Sequence, residues 1–300
     1  MDNDILHPAP PPFAPPRPCG YEDVVTLSPL VRRLTAKNPS PFTATGTGTY
    51  IVGRGTVAVI DPGPDDPEHI NAIGCALLGE LVSHIVVTHT HRDHSPGSRP
   101  LKALTGAPIV GCAPLSFPDE GPKVEESFDA DYLPDRVMGD GETVAGPGWT
   151  LAALATPGHT SNHLCFALPE EQALFTGDHV MGWSTTVIVP PDGDMTQYLA
   201  SLRRLLERDD AIYYPTHGDP ALKPQALVRG LLTHRRMREA QILQLLGEGV
   251  TAISEMVERL YAQTPPILHP AASRSVLAHL IALEQQGRVR QDTGGWRALA

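Results

Sequence analysis

The chain is poor in cysteine and in aromatic residues, and it contains no long apolar run. Its 300 residues include four cysteines, and aromatic residues account for 5%. No Cys-x-x-Cys pair occurs, which argues against a disulfide scaffold and favours a reduced, cytoplasmic protein. No stretch reaches the roughly 18 apolar residues of a membrane helix. The N-terminus lacks the basic and apolar regions of a secretory signal. We therefore expect a globular cytoplasmic protein without membrane contact.

Positive charge is also scarce, but it is unevenly distributed. The chain has 23 Lys and Arg against 34 Asp and Glu, a net charge of −11, which by itself disfavours a nucleic-acid partner. Residues 221–300 carry 10 basic against 6 acidic residues, a balance of +4. Residues 1–220 carry 13 against 28, a balance of −15. A basic C-terminal segment thus follows an acidic body.

Proline is concentrated near the N-terminus, where residues 8–18 read Pro-Ala-Pro-Pro-Pro-Phe-Ala-Pro-Pro-Arg-Pro. Proline has no backbone N–H, so this stretch is excluded from a sheet interior. We predict an N-terminal arm over residues 1–20. A flexible or wrapped tail is favoured over a docking motif for a partner.

Three histidines and one aspartate crowd into six residues directly after an apolar strand at residues 85–87. They are His89, His91, Asp93 and His94. Side chains alternate along a strand, so His89 and His91 are expected to point the same way. Imidazole and carboxylate suit zinc, iron or manganese, and no thiolate lies nearby in the sequence to favour a structural zinc cage. The pattern predicts a metal site.

The motif His89-Thr90-His91-Arg92-Asp93-His94 resembles the signature of the metallo-β-lactamase-fold hydrolases. The resemblance covers about residues 21–220. It implies three further ligands in order, and the chain supplies each in matching context: His159 within Thr-Pro-Gly-His-Thr, Asp178 within Thr-Gly-Asp-His, and His217 within Pro-Thr-His-Gly.

The resemblance implies a site for two divalent metal ions, with Zn²⁺ the expected metal. One ion is held by His89, His91 and His159, the other by Asp93, His94 and His217, and Asp178 bridges them. The pair of metals lowers the pKa of a shared water, so hydroxide becomes available near neutral pH. Asp93 and Asp178 are the carboxylates assigned to catalysis.

Further residues are expected around this centre. Asp61 ends a strand before a Pro-Gly turn, and the resemblance places it beneath the metals, although a simple turn residue is an equal alternative. Thr160 and His163 are predicted to lie behind the ligands. The loop after Asp178 offers three candidate substrate contacts, for which packing of the loop itself is an equal alternative: Trp183, Ser184 and Thr185.

Alternating strands and amphipathic helices over residues 21–222 predict an α+β fold, and the resemblance implies the four-layer αββα sandwich of that family. Residues 115–136 are expected to form an irregular flap. Residues 223–300 predict three helices and a terminal hairpin, which together resemble a winged helix. Such an appendage is found in the branch that resembles β-lactamase-like endoribonucleases.

We therefore expect a metal-dependent hydrolase that uses a metal-activated hydroxide. The basic C-terminal segment favours a phosphodiesterase acting on single-stranded RNA. The acidic body favours the alternative, a hydrolase of small esters, thioesters or lactones resembling glyoxalase II. A further alternative is a non-catalytic RNA-binding or scaffold protein, which the intact ligand set disfavours. The C-terminal domain is expected to offer a surface for oligomer formation.

Overall fold

Two β-sheets stack at the centre of the structure, a computed structural model that describes residues 11–115 and 128–299. The first sheet has seven strands in sequential order, antiparallel from β1 to β4 and parallel from β4 to β7. Its strands are β1 (Val25–Thr26), β2 (Val31–Thr35), β3 (Gly48–Arg54), β4 (Thr56–Ile60), β5 (Leu81–Val87), β6 (Ile109–Gly111) and β7 (Arg136–Val137).

The second sheet has five strands in the order β12-β11-β10-β9-β8, antiparallel except for the parallel pair of β11 and β12. Its strands are β8 (Thr143–Gly146), β9 (Trp149–Ala155), β10 (Leu164–Leu168), β11 (Ala173–Gly177) and β12 (Ile212–Pro215). Alternate residues of β10 serve two cores. Phe166 packs between the sheets, whereas Cys165 faces the outer helices.

Helices cover the outer faces of both sheets. Helix α1 (Pro67–Ala76) and α2 (Ser98–Thr105) cover the first sheet, into whose core α1 inserts Ile70 and Ile73. The Asp66 carboxylate caps α1 by accepting a hydrogen bond from the Glu68 backbone N–H. Helix α3 (Met195–Leu206) packs on the second sheet. These layers form the four-layer αββα sandwich, so the predicted fold class is confirmed.

The C-terminal segment contains α4 (Pro224–Gly247), α5 (Ile253–Leu260), α6 (His269–Gln285) and the hairpin of β13 (Val289–Asp292) and β14 (Gly295–Ala298). This is the predicted winged helix. The first half of α4 shares a hydrophobic core with α3 and the second sheet, and its second half shares another with α5, α6 and the hairpin. The division at residues 222 and 223 stays a prediction.

The expectation of an irregular flap over residues 115–136 was wrong at its C-terminal end. Residues 116–127 of the predicted flap lie outside the described residues, but its end is regular, because Phe128 bridges to His91 and Arg136 opens strand β7.

The described part of the proline-rich arm is wrapped against the body. The Ala14 backbone N–H donates a hydrogen bond to the Gly182 carbonyl oxygen at 3.0 Å, and the Arg17 guanidinium lies 3.2 Å from the Asp219 carboxylate. Residues 1–10 lie outside the described residues. No helix in the described ranges is long and apolar enough to cross a membrane.

Candidate metal centre

The seven predicted ligands all follow the carboxyl ends of strands. Strand β5 is followed by residues 88–94, β9 leads to His159, β11 to Asp178 and β12 to His217. Strand pairing aligns the ends of β9, β11 and β12 in the second sheet, and the stacking of the two sheets places the end of β5 beside them. Residues distant in sequence therefore meet at one edge of the sandwich. Their candidate ligand atoms form two groups, in each of which all atoms lie within 4.8 Å of one another: His89, His91, His159 and Asp178, and Asp93, His94 and His217.

Three imidazole nitrogens converge in the first group. His91 Nδ1 lies 3.0 Å from His89 Nε2 and 3.1 Å from His159 Nε2. The other nitrogen of His159 donates to the Val187 carbonyl oxygen at 2.8 Å, which leaves a lone pair on Nε2. This lone pair faces the other two histidines.

The tautomer of His89 is set by a relay through Thr88. The Thr88 hydroxyl donates to Asp61 Oδ2 at 2.7 Å, so its oxygen is free to accept from His89 Nδ1, 3.1 Å away. The Nε2 of His89 therefore also presents a lone pair. Converging lone pairs of this kind are suited to binding a shared cation.

The second group pairs imidazoles with carboxylates. His217 Nε2 lies 3.0 Å from Asp93 Oδ2, and His94 Nε2 lies 3.5 Å from the same oxygen. His217 Nδ1 is turned away, 3.3 Å from the Gly46 carbonyl oxygen. Both Nε2 atoms thus face the interior of the group.

Asp178 lies between the two groups. Its Oδ1 is 3.3 Å from His217 Nε2 and 3.5 Å from His94 Nε2, whereas its Oδ2 is 3.7 Å from His159 Nε2. One carboxylate oxygen therefore faces each group. This is the geometry that a bridging carboxylate needs.

Asp61 lies beneath the centre and is not a simple turn residue. Its carboxylate accepts hydrogen bonds from the Thr88 N–H at 2.8 Å and from the Thr216 hydroxyl at 3.2 Å. Its Oδ2 also lies 2.9 Å from His94 Nδ1. The backbone of Asp61 adopts a positive φ of 47°. This single side chain ties the strand ends that carry His94 and His217.

The electrostatics of the centre favour cations. Burial lowers the pKa of His91 to about 3 and lowers the pKa values of His89 and His159, so these imidazoles are neutral, as ligands must be. Burial raises the pKa values of Asp93 and Asp178, but the adjacent imidazoles outweigh it, and both carboxylates stay ionised.

The negative charge of these two carboxylates raises the pKa values of the other two candidate ligand imidazoles, His94 and His217. Burial lowers the pKa of His217, but Asp178 and Asp93 outweigh it and raise that pKa to about 10. They also raise the pKa of His94 well above its usual range, against the effect of burial. Buried His94 Nε2 and Asp178 Oδ1 have no hydrogen-bond partner in the described chain. The donor set therefore fits two divalent cations.

The two residues predicted behind the ligands have different surroundings. His163 Nε2 accepts the Asp178 backbone N–H at 3.2 Å, and its Nδ1 donates to the Thr156 hydroxyl at 2.9 Å. His163 thus holds the backbone of Asp178. The Thr160 hydroxyl instead donates to Asn162 Oδ1 at 2.8 Å and makes no hydrogen bond to a candidate ligand.

The centre opens into a cavity of about 380 Å³. Trp183, Ser184 and Thr185 line it, and their contact with substrate stays a prediction. Two lining residues that sequence reasoning missed are Arg235 and Arg238 on α4. The sequence does contain a pattern that could have indicated their burial. At helical spacing they continue the buried apolar stripe of α4 between Leu231 and Ile242.

Comparison with known proteins agrees with this architecture. Residues 45–217 match the Metallo-beta-lactamase superfamily, and residues 252–296 match the Beta-lactamase associated winged helix domain. The chain is 32% identical to the Beta-lactamase-like protein 2 homolog of Drosophila melanogaster over 288 residues, which covers 89% of this chain and 94% of that protein.

Two further similarities concern a named enzyme and a solved structure. Over 260 residues the chain is 31% identical to an atrochrysone carboxyl ACP thioesterase of Cryptosporiopsis sp. (strain 8999), covering 81% of this chain and 75% of that enzyme. A beta-lactamase domain protein from Burkholderia ambifaria superposes with a TM-score of 0.78 at 19% identity and covers 99% of both chains. At that identity the superposition shows a shared fold.

Proposed function

The chain belongs to the metallo-β-lactamase superfamily and is a hydrolase of that fold, and on this premise we propose that it cleaves thioesters of small, largely apolar acids. The observation that carries the proposal is the cavity at the candidate metal centre. A cavity of about 380 Å³ is of the size that binds small molecules.

Apart from the candidate metal ligands, the lining of the cavity is mainly apolar. It combines the wrapped arm, the loop after Asp178 and the C-terminal helices. Its apolar members are Phe13, Pro41, Phe42, Met181, Trp183, Val187, Leu260, Tyr261, Leu268, Ala271 and Ala272. An acyl group that binds against these residues is removed from water, which favours binding by roughly 25 cal/mol per Å² of apolar surface buried.

We assign the metals to the two groups of side chains described above, with Asp178 between them. Bound there, two divalent ions would polarise a carbonyl group and make hydroxide available near neutral pH. The protein's own residues orient this donor set. The Val187 carbonyl fixes the His159 ring, and Asp61 fixes His94 directly and His89 through Thr88.

The leaving group distinguishes thioesters from oxygen esters. A thiol with a pKa of about 8.5 leaves as a thiolate and needs little proton donation, whereas an alkoxide needs an acid. His234 is a titratable residue of the cavity outside the ligand groups, and burial, aided by Arg235 and Arg238, lowers its pKa to about 3. At neutral pH its imidazole is therefore uncharged and supplies no imidazolium proton to a leaving alkoxide, which favours a thioester.

The named relatives point in the same direction, because one of them is an acyl carrier protein thioesterase. The RNA phosphodiesterase expected from the basic C-terminal segment stays a prediction. Two of the arginines that make this segment basic are buried in the cavity, which leaves fewer for a nucleic-acid surface.

One preparation tests both substrate classes. Metal content is measured by elemental analysis, and the same protein is assayed on N-acetylcysteamine thioesters of aliphatic and aromatic acids, on the matched oxygen esters and on single-stranded RNA. We expect two metals per chain and thioester turnover well above ester turnover. Asp178→Asn should lose activity, whereas His84→Gln, remote from the ligand groups, should retain it. RNA cleavage without thioester turnover would refute the proposal.

A further inference from the structure

Two arginines face the cavity from the same side of helix α4. Arg235 and Arg238 are three residues apart, a spacing that places both side chains on one helix face. Both line the cavity, and only 2% of Arg235 and 7% of Arg238 are exposed. Two guanidinium groups are thus enclosed in the wall of an otherwise mainly apolar space.

Neither arginine has a carboxylate partner in the described part of the chain. Arg235 Nη2 donates to the Thr186 carbonyl oxygen, and its guanidinium carbon lies 5.2 Å from the centre of the Tyr198 ring. Arg238 Nη1 donates to the Leu260 carbonyl oxygen at 3.2 Å. The Nε atoms of both arginines are buried and have no hydrogen-bond partner.

These contacts are with uncharged groups, so they hold the guanidinium groups in place without neutralising their positive charge. Leu260 is the last residue of α5, so its carbonyl contributes a partial negative charge of at most about half an elementary charge. Buried charges in proteins are normally paired, because an isolated one is costly to desolvate. Burial also lowers the pKa of Arg238, with a smaller contribution from Arg235. The two guanidinium groups are therefore buried charges without an anionic partner among the described residues.

The arginines and the candidate metal centre belong to the same cavity. His91, Asp93, His159, Asp178 and His217 line it together with the two arginines. The residues are also connected through Thr186. Its hydroxyl donates to the Asp178 carbonyl oxygen at 2.6 Å, and its carbonyl accepts from Arg235. One small ligand therefore has access to both the metal ligands and the arginines.

We propose that Arg235 and Arg238 form an oxyanion subsite that binds a carboxylate or phosphate of the substrate while its thioester lies at the metal centre. This inference rests on the proposed thioesterase function. The substrate class is a thioester with a second, anionic group. That group is a carboxylate on the acyl part or a phosphate on the leaving thiol, and both present oxygens to a planar guanidinium.

The first arm of the test uses substrates that differ only in charge. The N-acetylcysteamine thioester of 4-carboxyphenylacetic acid, formed at its acetic acid group, is compared with the same thioester carrying a methyl ester on the ring carboxyl. In the second arm, a phenylacetyl thioester of phosphopantetheine is compared with that of pantetheine. We expect the wild-type holoenzyme to prefer the charged member of one pair by at least tenfold in kcat/KM.

The variants locate the preference. In Arg235→Gln/Arg238→Gln, the kcat/KM of the charged substrate divided by that of its neutral partner should fall towards one. The conservative variant Arg235→Lys should retain part of the wild-type ratio. Arg229→Gln/Arg236→Gln removes the same charge from exposed positions of the same helix and should leave the ratio as in wild type. A defect in folding alone would lower both members of a pair and leave their ratio unchanged. An unchanged ratio in the double variant would overturn the subsite.

A binding measurement tests the arginine subsite independently of the proposed thioesterase activity. Titration calorimetry of the holoenzyme with 4-carboxyphenylacetic acid and with inorganic phosphate needs no turnover. At least tenfold weaker binding of either anion in Arg235→Gln/Arg238→Gln supports the subsite even if no thioester is cleaved. Equal binding by wild type and the variant refutes it even if thioesters are cleaved. Displacement of the acid by a single-stranded oligoribonucleotide in wild type alone would assign the subsite to RNA phosphate and overturn the small-substrate class.

Discussion

Asp61 Oδ2 lies 2.9 Å from His94 Nδ1, and both side chains are buried beneath the candidate metal centre. The contact fixes which nitrogen of His94 carries a proton when the ring acts as a ligand. It leaves Nε2 directed at Asp93 and Asp178, 3.5 Å from an oxygen of each. Asp61, which belongs to neither candidate ligand group, therefore orients His94 directly and His89 through Thr88.

Asp61→Asn should weaken metal binding. The amide keeps the size of the side chain but loses the charge that holds His94, and loss of such a partner typically costs 10–100-fold in metal affinity or activity. Metal titration with a competing chelator measures the change. Asp65→Asn, an exposed neighbour, is the control and should bind metal as wild type does. Equal metal affinity of both variants would contradict the role of Asp61.

Asp178→Ala should abolish turnover and leave a folded protein with fewer than two metals. The substitution removes the only side chain whose two oxygens face the two ligand groups within the described residues. Elemental analysis, circular dichroism and a turnover assay on one preparation measure the three properties. Normal hydrolysis by a folded, fully metal-loaded variant would disprove the bridging assignment.

Gly158→Ala should destabilise the fold and displace His159. A Cβ atom at this position would lie 2.3 Å from the Tyr198 Cα atom, and the residue has a φ of 141°. We expect a loss of about 2–4 kcal/mol in the free energy of unfolding, measured by urea denaturation. Gly148→Ala also places a side chain at positive φ but in open space, so it should cost about 1–2 kcal/mol. Equal losses would show that the contact with α3 does not matter.

His279→Gln should make the protein less sensitive to acid. His279 is fully buried on α6, and burial lowers its pKa to about 4 from 6.5. Its folded pKa lies below its unfolded value, so only the unfolded state takes up the proton as the pH falls from 6.5 to 4. The folded state thereby loses stability, up to about 3 kcal/mol at pH 4.

The measurement is the difference in free energy of unfolding between pH 7 and pH 4.5, for wild type and for His279→Gln. The variant should show the smaller loss, since Gln does not titrate. Its stability at pH 7 is not the readout, because the substitution also changes packing. The same loss in both proteins would contradict a neutral, buried His279.

Most secondary structure could be predicted because local patterns encode it. The apolar run at residues 85–87 predicted a strand, and amphipathic spacing predicted helices in the body and three helices in the C-terminal segment. Strand β7 could not be predicted, since its two exposed residues carry no apolar pattern. It forms because its backbone pairs with β6, and the preceding Asp135 accepts the Ile109 N–H at 2.7 Å.

The sequence also indicated Trp183, Ser184 and Thr185 at the cavity, because they follow Asp178 directly in the chain. It did not indicate Phe13, which reaches the same cavity from the N-terminal arm. Nor did it reveal that the Thr160 hydroxyl would turn to Asn162. Such contacts depend on how loops from distant strands meet, and spacing within one segment carries no information about that.

The sequence by itself determined the types and order of the candidate ligands, because each lies in a short motif after a strand. It also determined the periodic patterns from which the sheets and helices form. Only the tertiary structure decided which side chains meet and whether a charge faces water. The arginines of α4 count as basic surface in the sequence, yet packing against the second sheet and α5 turns Arg235 and Arg238 into the cavity. Burial, which is a property of the folded chain, converts them from solvated charges into candidates for binding an anion.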